Sequence, residues 1–131
     1  MIAAPLSAIL LLAGCVTASG IREVSHSVTS VSGERTKLHD AWHLKRDCSA
    51  DTMPNVRVMT PPEHGKIDLV TQDVVPVYKG PATKCNGIKP RGITIYYTSK
   101  PGYVGQDKVV FRESYGDGQV LDATIKLNVV Q

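Results

Sequence analysis

The sequence predicts an all-β domain, built as an antiparallel β-sandwich or a small barrel. Several short runs alternate apolar and polar residues, which is the side-chain period of a strand with one buried face. Turn-forming residues separate the runs at fairly regular intervals, and no long run has the spacing of an amphipathic helix. Because each run has one polar face, we favour the sandwich, in which each sheet buries one face and exposes the other.

Length and charge limit the class of protein. The chain has 131 residues, enough for one domain, and 42% of them are hydrophobic, which is typical of a globular protein. The net charge is +3 and the pI is about 8.8. The basic residues form no dense stripe, so we expect no nucleic-acid partner.

The N-terminal stretch, residues 1–20, contains no charged side chain. Its apolar run from Pro5 to Ala13 is too short to cross a bilayer. The run suits the apolar region of a secretory signal, although no basic residue precedes it. We therefore expect an exported protein.

The apolar run ends in Leu12-Ala13-Gly14-Cys15, which resembles a bacterial lipobox. The resemblance implies that residues 1–14 are a lipoprotein signal peptide and that Cys15 is lipidated. Cleavage of an ordinary signal near Ala18 or Gly20 is the alternative. A lipid on Cys15 places the protein on the periplasmic side of a membrane, and we expect the outer membrane rather than the inner one.

The other two cysteines, Cys48 and Cys85, make an even pair once Cys15 carries lipid. In an oxidising compartment such a pair is expected to form a disulfide. Closing the loop between residues 48 and 85 would stabilise the fold by roughly 3–4 kcal/mol. The sequence has no CxxC motif, so a redox or zinc role for these cysteines has no support.

Residues 15–35 are rich in serine and threonine, and we interpret them as the lipidated cysteine followed by a flexible tether. The C-terminal part of the tether can begin a first strand. The folded domain is predicted to span residues 36–131. Within residues 36–47, Leu38, Trp42 and Leu44 fit one face of a strand; a helical turn is the alternative, and the strands that follow favour the strand.

The remaining strands follow from the alternation and from the turns between them. Pro76 interrupts one run, which predicts an edge strand or a bulge there, because proline cannot donate to a sheet ladder. In the last run Leu121, Ala123, Ile125, Leu127 and Val129 are predicted to face the core. The predicted strands are residues 55–60, 66–70, 74–81, 92–98, 107–114 and 120–130.

A turn rich in special residues precedes the strand at 107–114. Pro101 presets φ, and Gly102 and Gly105 permit sharp bends. Tyr103 is predicted to lay its ring across the end of the core and to offer its hydroxyl to the backbone. Asp107 is predicted to accept N–H groups of the loop, and all five residues therefore have a structural role.

The pattern Pro101-Gly102-Tyr103-x-Gly105-x-Asp107-x-x-x-Phe111, followed by Gly-Asp-Gly and an alternating last strand, resembles the cadherin-like or immunoglobulin-like repeat domains of bacteria. The turn at residues 62–67 is similar to theirs, and the resemblance covers about residues 54–130. It implies an immunoglobulin-like antiparallel β-sandwich of about seven strands, to which the cysteine pair adds one disulfide.

Metal sites and catalytic motifs have little support. His39 and His43 would share one face of a helix, where Asp40 or Asp47 lies near, but on a strand they are about 13 Å apart. The aspartates at 107, 117 and 122 form no calcium-loop pattern. The sequence lacks GxSxG and HExxH motifs. We therefore predict no metal, no cofactor and no enzymatic activity.

Basic residues near the second cysteine suggest a binding surface. These are Lys84, Lys89, Arg91 and Lys100, which suit an acidic partner such as an anionic glycan or a lipid headgroup, although a solvated rim is the plainer interpretation. Of the adjacent tyrosines, Tyr97 is predicted to face inward and Tyr96 outward, where it adds an aromatic contact.

Taken together, these features predict a non-enzymatic lipoprotein of the bacterial cell envelope, anchored by lipid, that binds an envelope protein or polysaccharide. The alternative is a periplasmic enzyme inhibitor, or an accessory subunit of an envelope complex, that inserts loop 81–92 into the cleft of a partner.

Overall fold

A computed structural model describes residues 19–131, in which seven strands form two sheets packed face to face. One short 3₁₀ helix, Gly80–Cys85, is the helical element of these residues. The predicted all-β sandwich is confirmed. The strands are β1 (Arg22–Val31), β2 (Arg35–Ala41), β3 (Asn55–Thr60), β4 (Gly65–Asp73), β5 (Arg91–Ser99), β6 (Gly105–Ser114) and β7 (Val120–Val130).

The strand order is that of an immunoglobulin-like sandwich. One sheet has the order β1-β7-β6-β3 and the other β2-β5-β4. β3, β6 and β7 take the places of strands C, F and G, and β2, β5 and β4 those of B, E and D. β1 pairs with the free edge of β7 in parallel. The predicted antiparallel arrangement therefore holds for the other strand pairs but not for this one. Because β1 and β7 are the first and last strands, no tight hairpin constrains their direction.

The core lies between the two sheets and is built from the inward face of each strand. On β7, Ala123, Ile125, Leu127 and Val129 are buried, while Leu121 at the strand's start is only partly buried. Ile95 and Tyr97 of β5 and Val109 and Phe111 of β6 are fully buried against them. The inward face predicted for β7 and the inward direction predicted for Tyr97 are therefore confirmed.

Residues 22–31, which the sequence analysis assigned to the tether, form strand β1 instead. The folded part therefore begins before residue 36. β1 pairs along its whole length with β7, and Val24 and Val28 pack against the core. The buried Ser30 shares a hydrogen bond of 2.8 Å with the hydroxyl of Thr36. Backbone pairing and one polar contact thus stabilise a strand that has few apolar side chains.

Two further segments differ from the prediction. Residues 74–81 form no strand: Val74 donates to the carbonyl of Pro90, and the chain then enters the 3₁₀ helix with Pro81 in its first turn. Residues 36–47 are a strand only as far as Ala41, and a bulge near Leu38 shifts its register. Trp42 therefore lies just after the strand and not on the face of β2 where the alternation had predicted it.

The predicted turn residues connect β5 to β6. Gly102 and Gly105 have positive φ values of 85° and 139°. The ring of Tyr103 stacks on that of His64, with centroids 4.0 Å apart, and its hydroxyl donates to the carbonyl of Gln106. This contact joins the turn at 100–104 to the turn at 61–64.

The two ends of the sandwich are different. The strand registers gather loop 42–54, loop 74–90, turn 115–119 and the start of β1 at one end, which we name the disulfide end. Short turns between β1 and β2, β3 and β4, and β5 and β6 lie at the opposite end, which we name the turn end.

Candidate functional site

The disulfide Cys48–Cys85 joins the two long loops at the disulfide end, as predicted, with a Cα–Cα distance of 5.4 Å. Cys85 is buried at the end of the 3₁₀ helix. Gly92, at the start of β5, lets the loops approach the sheet, because a Cβ atom there would lie 2.5 Å from the carbonyl oxygen of Ala41. The loops are therefore fixed both to each other and to the sandwich.

Between the two loops lies a groove of about 460 Å³, within the size range of ligand pockets. Trp42 and Tyr78 form its aromatic part, edge to face, with ring centroids 5.0 Å apart. Burial raises the pKa of the Tyr78 hydroxyl, which has no hydrogen-bond partner in the part of the chain that the structure describes. The groove is lined by Trp42, Leu44, Lys45, Arg46, Tyr78, Pro81, Ala82, Lys84 and Cys85.

The charges of the groove all have one sign. Lys45, Arg46 and Lys84 are exposed at its rim, and none of the residues 19–131 that line it carries a carboxylate side chain. Cations beside an apolar wall attract a negatively charged partner that also has apolar surface. The shape is fixed in part by the backbone N–H of Tyr78, which donates to Oδ1 of Asn86 at 2.9 Å. The groove is thus a cavity with a basic rim, whose shape is set by contacts within the domain.

A buried polar cluster lies at the same end, inside the sandwich. Glu113 of β6 is fully buried, and its Oε1 lies 2.7 Å from Nε2 of His39 on β2. This ion-pair contact is not a hydrogen bond of good geometry. Tyr115 donates its hydroxyl to the other oxygen of Glu113. Burial and then this hydrogen bond raise the pKa of Tyr115 above its usual range. The cluster ties β2 to β6 inside the sandwich, with one oxygen of Glu113 hydrogen-bonded to Tyr115 and the other facing His39.

His43 extends the cluster toward the loops. Its ring meets that of Tyr115 edge to face at 5.3 Å. Its ring nitrogens lie 3.6 Å from Oδ2 of Asp51 and 3.8 Å from Oδ2 of Asp117. Within residues 19–131, no group of three or more His, Cys, Asp or Glu side chains is arranged to hold a metal ion.

The predicted basic residues do not form one surface. Lys84 lines the groove, and Lys89 and Arg91 lie at the same end. Lys100 lies at the turn end, because the nine residues of β5 separate it from Arg91 by roughly 27 Å. Its predicted place in the cluster is therefore wrong. Arg91 is also engaged, since it lies 3.5 Å from a carboxylate oxygen of Asp73.

Tyr96 faces outward, as predicted, but lies on the middle of the three-stranded sheet and far from the groove. The guanidinium of Arg35 covers its ring at 3.7 Å. Its hydroxyl accepts a hydrogen bond of 3.1 Å from Gln72. Tyr96 is not among the residues that line the groove, so the structure does not join it to the basic residues of the loops.

Most residues that form the wall of the groove were not predicted as site residues from the sequence. Trp42, Lys45 and Arg46 lie within six positions of Cys48, and Tyr78 and Pro81 within seven of Cys85. Residues on either side of a disulfide must come close in space. The predicted disulfide was therefore the signal that united these two stretches.

Cys15 lies outside the described residues. Residues 19–131 contain no helix with the length and apolar character needed to cross a membrane.

No protein-family model matches the chain, and no curated protein matches it. Among solved structures, the solution structure of amebosin is similar over 82% of this chain and 96% of that one, at 14% identity and a TM-score of 0.43. A likeness of this degree carries no argument about function.

Proposed function

We propose that this protein is a non-enzymatic binding module of the bacterial cell envelope, anchored by lipid at Cys15, that binds an envelope protein or polysaccharide through the groove. One observation carries the proposal: two disulfide-joined loops enclose an apolar groove whose rim bears Lys45, Arg46 and Lys84. Rigid loops lose little conformational freedom on binding, which favours affinity.

The chemistry of the groove supports binding rather than catalysis. The charged side chains that line it are cations, and its cysteine is held in the disulfide. A nucleophile with an adjacent general base requires a different set of side chains. Of the two partner classes, the apolar wall of Trp42, Leu44 and Pro81 favours an envelope protein that presents apolar residues beside carboxylates.

The cell-envelope location is supported by the apolar run that ends at Cys15 and by the disulfide. Disulfides persist in oxidising compartments such as the bacterial periplasm. We place the anchored domain on the periplasmic side of the outer membrane.

A photoreactive amino acid in place of Ala82, which lies exposed in the groove, tests the proposal in cells that make the full-length protein. The matched control carries the same group at Val104, which is 55% exposed and lies at the turn end. We expect a saturable crosslinked species from position 82 that disappears in the Lys45→Glu/Arg46→Glu variant. Identical products from the two positions would contradict a binding role for the groove.

A second candidate is a periplasmic inhibitor or accessory subunit that inserts loop 81–92 into a partner's cleft. The observation that favours it is the rigidity of this loop, which the disulfide, the Val74–Pro90 hydrogen bond and the Tyr78–Asn86 hydrogen bond hold in place. An inhibitor forms a tight one-to-one complex with a single enzyme and lowers its activity. The species crosslinked at position 82 distinguishes the two candidates by its stoichiometry and by that activity.

A further inference from the structure

Segment 74–78 exposes apolar side chains on the side opposite the groove. Val74 and Tyr78 are buried, whereas Val75 is 68% exposed and Val77 is 80% exposed. This alternation is that of an extended segment, in which successive side chains leave on opposite sides. Tyr78 lines the groove, so the two valines face away from it.

A neighbouring segment also exposes an apolar side chain. Residues 86–90 run beside residues 74–78, because the Val74–Pro90 and Tyr78–Asn86 hydrogen bonds, each 2.9 Å long, join them. Ile88 in this segment is 41% exposed. We name these three exposed side chains, Val75, Val77 and Ile88, the apolar ridge.

The loop that bears the ridge carries positive charges, of which Lys84 lines the groove. Residues 74–90 contain Lys79, Lys84 and Lys89 and no Asp or Glu, so this loop carries as much net charge as the whole chain, +3. The nearest acid in the sequence, Asp73, is paired with Arg91. Exposed apolar side chains interleaved with lysines are typical of a surface that contacts anionic lipid.

The start of β1 places the disulfide end nearest to the lipid anchor. β1 begins with Arg22, which lies beside turn 115–119 and lines a cavity of about 450 Å³ with Tyr115 and Gln119. The seven residues from Cys15 to Arg22 span at most roughly 25 Å. A lipid on Cys15 therefore keeps the disulfide end close to the bilayer and directs the turn end away from it.

From these observations we propose that the apolar ridge rests on the membrane, with Val75, Val77 and Ile88 among the headgroups of anionic phospholipids and with Lys79 and Lys89 beside their phosphates. The inference rests on the proposed function only where it uses the anchor at Cys15. It assigns a second surface to the disulfide end. Because the ridge and the groove lie on opposite sides of segment 74–78, one molecule can contact lipid and hold a partner at the same time.

The experiment places a photoreactive amino acid at Val77 in the full-length lipidated protein, reconstituted in vesicles of phosphatidylcholine with and without phosphatidylglycerol. The control position is Val104, exposed at the turn end. We expect several-fold more crosslinked phospholipid from position 77 than from position 104, with a further increase when phosphatidylglycerol is present. Equal yields from the two positions would overturn the inference.

Charge variants test the lysines separately. Lys79→Glu/Lys89→Glu is expected to lower the lipid crosslinking at position 77 several-fold. The matched control, Lys66→Glu/Lys108→Glu, changes the net charge equally on exposed residues of β4 and β6 and is expected to leave the yield unchanged. Equal losses in both variants would show only a general charge effect and would overturn the assignment to the ridge.

The outcomes also separate this inference from the proposed function. Lipid crosslinks at position 77 without a partner crosslink at position 82 would support membrane contact by the ridge and contradict partner binding by the groove. A partner crosslink at position 82 without lipid crosslinks at position 77 would support partner binding and contradict membrane contact. If the intact mass of the protein shows no lipid on Cys15, the full chain is mixed with the same vesicles and sedimented. Binding that requires phosphatidylglycerol and Lys79 and Lys89 then supports the ridge, and its absence overturns it.

Discussion

The hydroxyl of Tyr97 donates a hydrogen bond of 2.7 Å to Oδ2 of Asp107 inside the sandwich. Tyr97 belongs to β5 and Asp107 to β6, so this contact joins the two sheets. The same carboxylate accepts the backbone N–H groups of Glu63, His64 and Lys108, at 2.9–3.0 Å. One aspartate thus joins both sheets and the turn at 61–64.

The acid stability of the protein is expected to depend on Asp107. Burial alone raises the pKa of this carboxyl group, but the hydrogen bonds from Tyr97, Lys108, Glu63 and His64 outweigh it and hold the pKa below the ordinary value of 3.8. A pKa that is lower in the folded state contributes stability that is complete above the unfolded value and is lost as the pH falls through the folded value. Urea unfolding as a function of pH should show a steeper acid loss for the wild type than for Asp107→Asn. Equal slopes would contradict this role.

The tyrosine pair on β5 allows a matched test of the buried hydrogen bond. Tyr97→Phe removes the hydroxyl from a charged acceptor inside the sandwich, and we expect a loss of about 1.5–3 kcal/mol in the free energy of unfolding. Tyr96→Phe makes the same chemical change on the outer face and is expected to cost less than about 1 kcal/mol. Equilibrium denaturation of both variants measures the difference. Equal losses of unfolding free energy in the two variants would mean that the Tyr97–Asp107 hydrogen bond stabilises the fold no more than the exposed contact of Tyr96.

Two ion pairs of β2 are expected to differ in strength. His39→Phe keeps an aromatic ring against Phe111 but removes the nitrogen that faces the buried Glu113. We expect it to cost roughly 1–3 kcal/mol, because the buried carboxylate loses the ring nitrogen that faces it. Lys37→Met breaks the exposed contact with Asp40 and is expected to cost less than about 1 kcal/mol.

Thermal and urea denaturation compare the two single variants. Adding Glu113→Gln to His39→Phe removes the unpaired charge and should recover part of the loss. A double variant that is less stable than His39→Phe would show that the charge of Glu113 is not the cause.

Removal of the disulfide is expected to loosen the loops more than the sheets. Cys48 and Cys85 are 37 residues apart, and a link of this length stabilises a fold by about 4 kcal/mol through chain entropy. In the Cys48→Ser/Cys85→Ser variant, hydrogen exchange should become much faster in loops 42–54 and 74–90 than in β6 and β7. Reduced wild type serves as the control for the substituted serines. Uniform acceleration along the chain would show that the link stabilises only the whole fold.

The strands that could be predicted have apolar residues at two or more successive positions of the period of two. β7 buries four such side chains, and β5 buries Ile95 and Tyr97 with Ile93 partly buried, so the period of two was visible. β1 was missed because His26 and Ser30 share the face of Val24 and Val28. Its pairing with β7 joins residues about a hundred positions apart, and no local pattern reports such a partner.

The candidate site was only partly predictable. The disulfide could be predicted from the number of cysteines. The position of Trp42 could not, because the alternation placed it on a strand face, whereas β2 ends at Ala41 and Trp42 lies in the groove. Lys100 was grouped with Arg91 because only a short stretch of sequence separates them. That stretch is the extended strand β5, which places the two residues at opposite ends of the sandwich.

The parallel pairing of β1 with β7 gives the domain a defined response to force. The chain enters at the disulfide end and leaves at the turn end, so tension between the two termini pulls β1 and β7 in opposite directions along their shared axis. The ladder bonds between Arg22–Val31 and the facing residues of β7 then share the tension at once, instead of breaking one after another from an end. Stretching therefore meets its resistance in the first and last strands, and the groove loops stay outside the path of the tension.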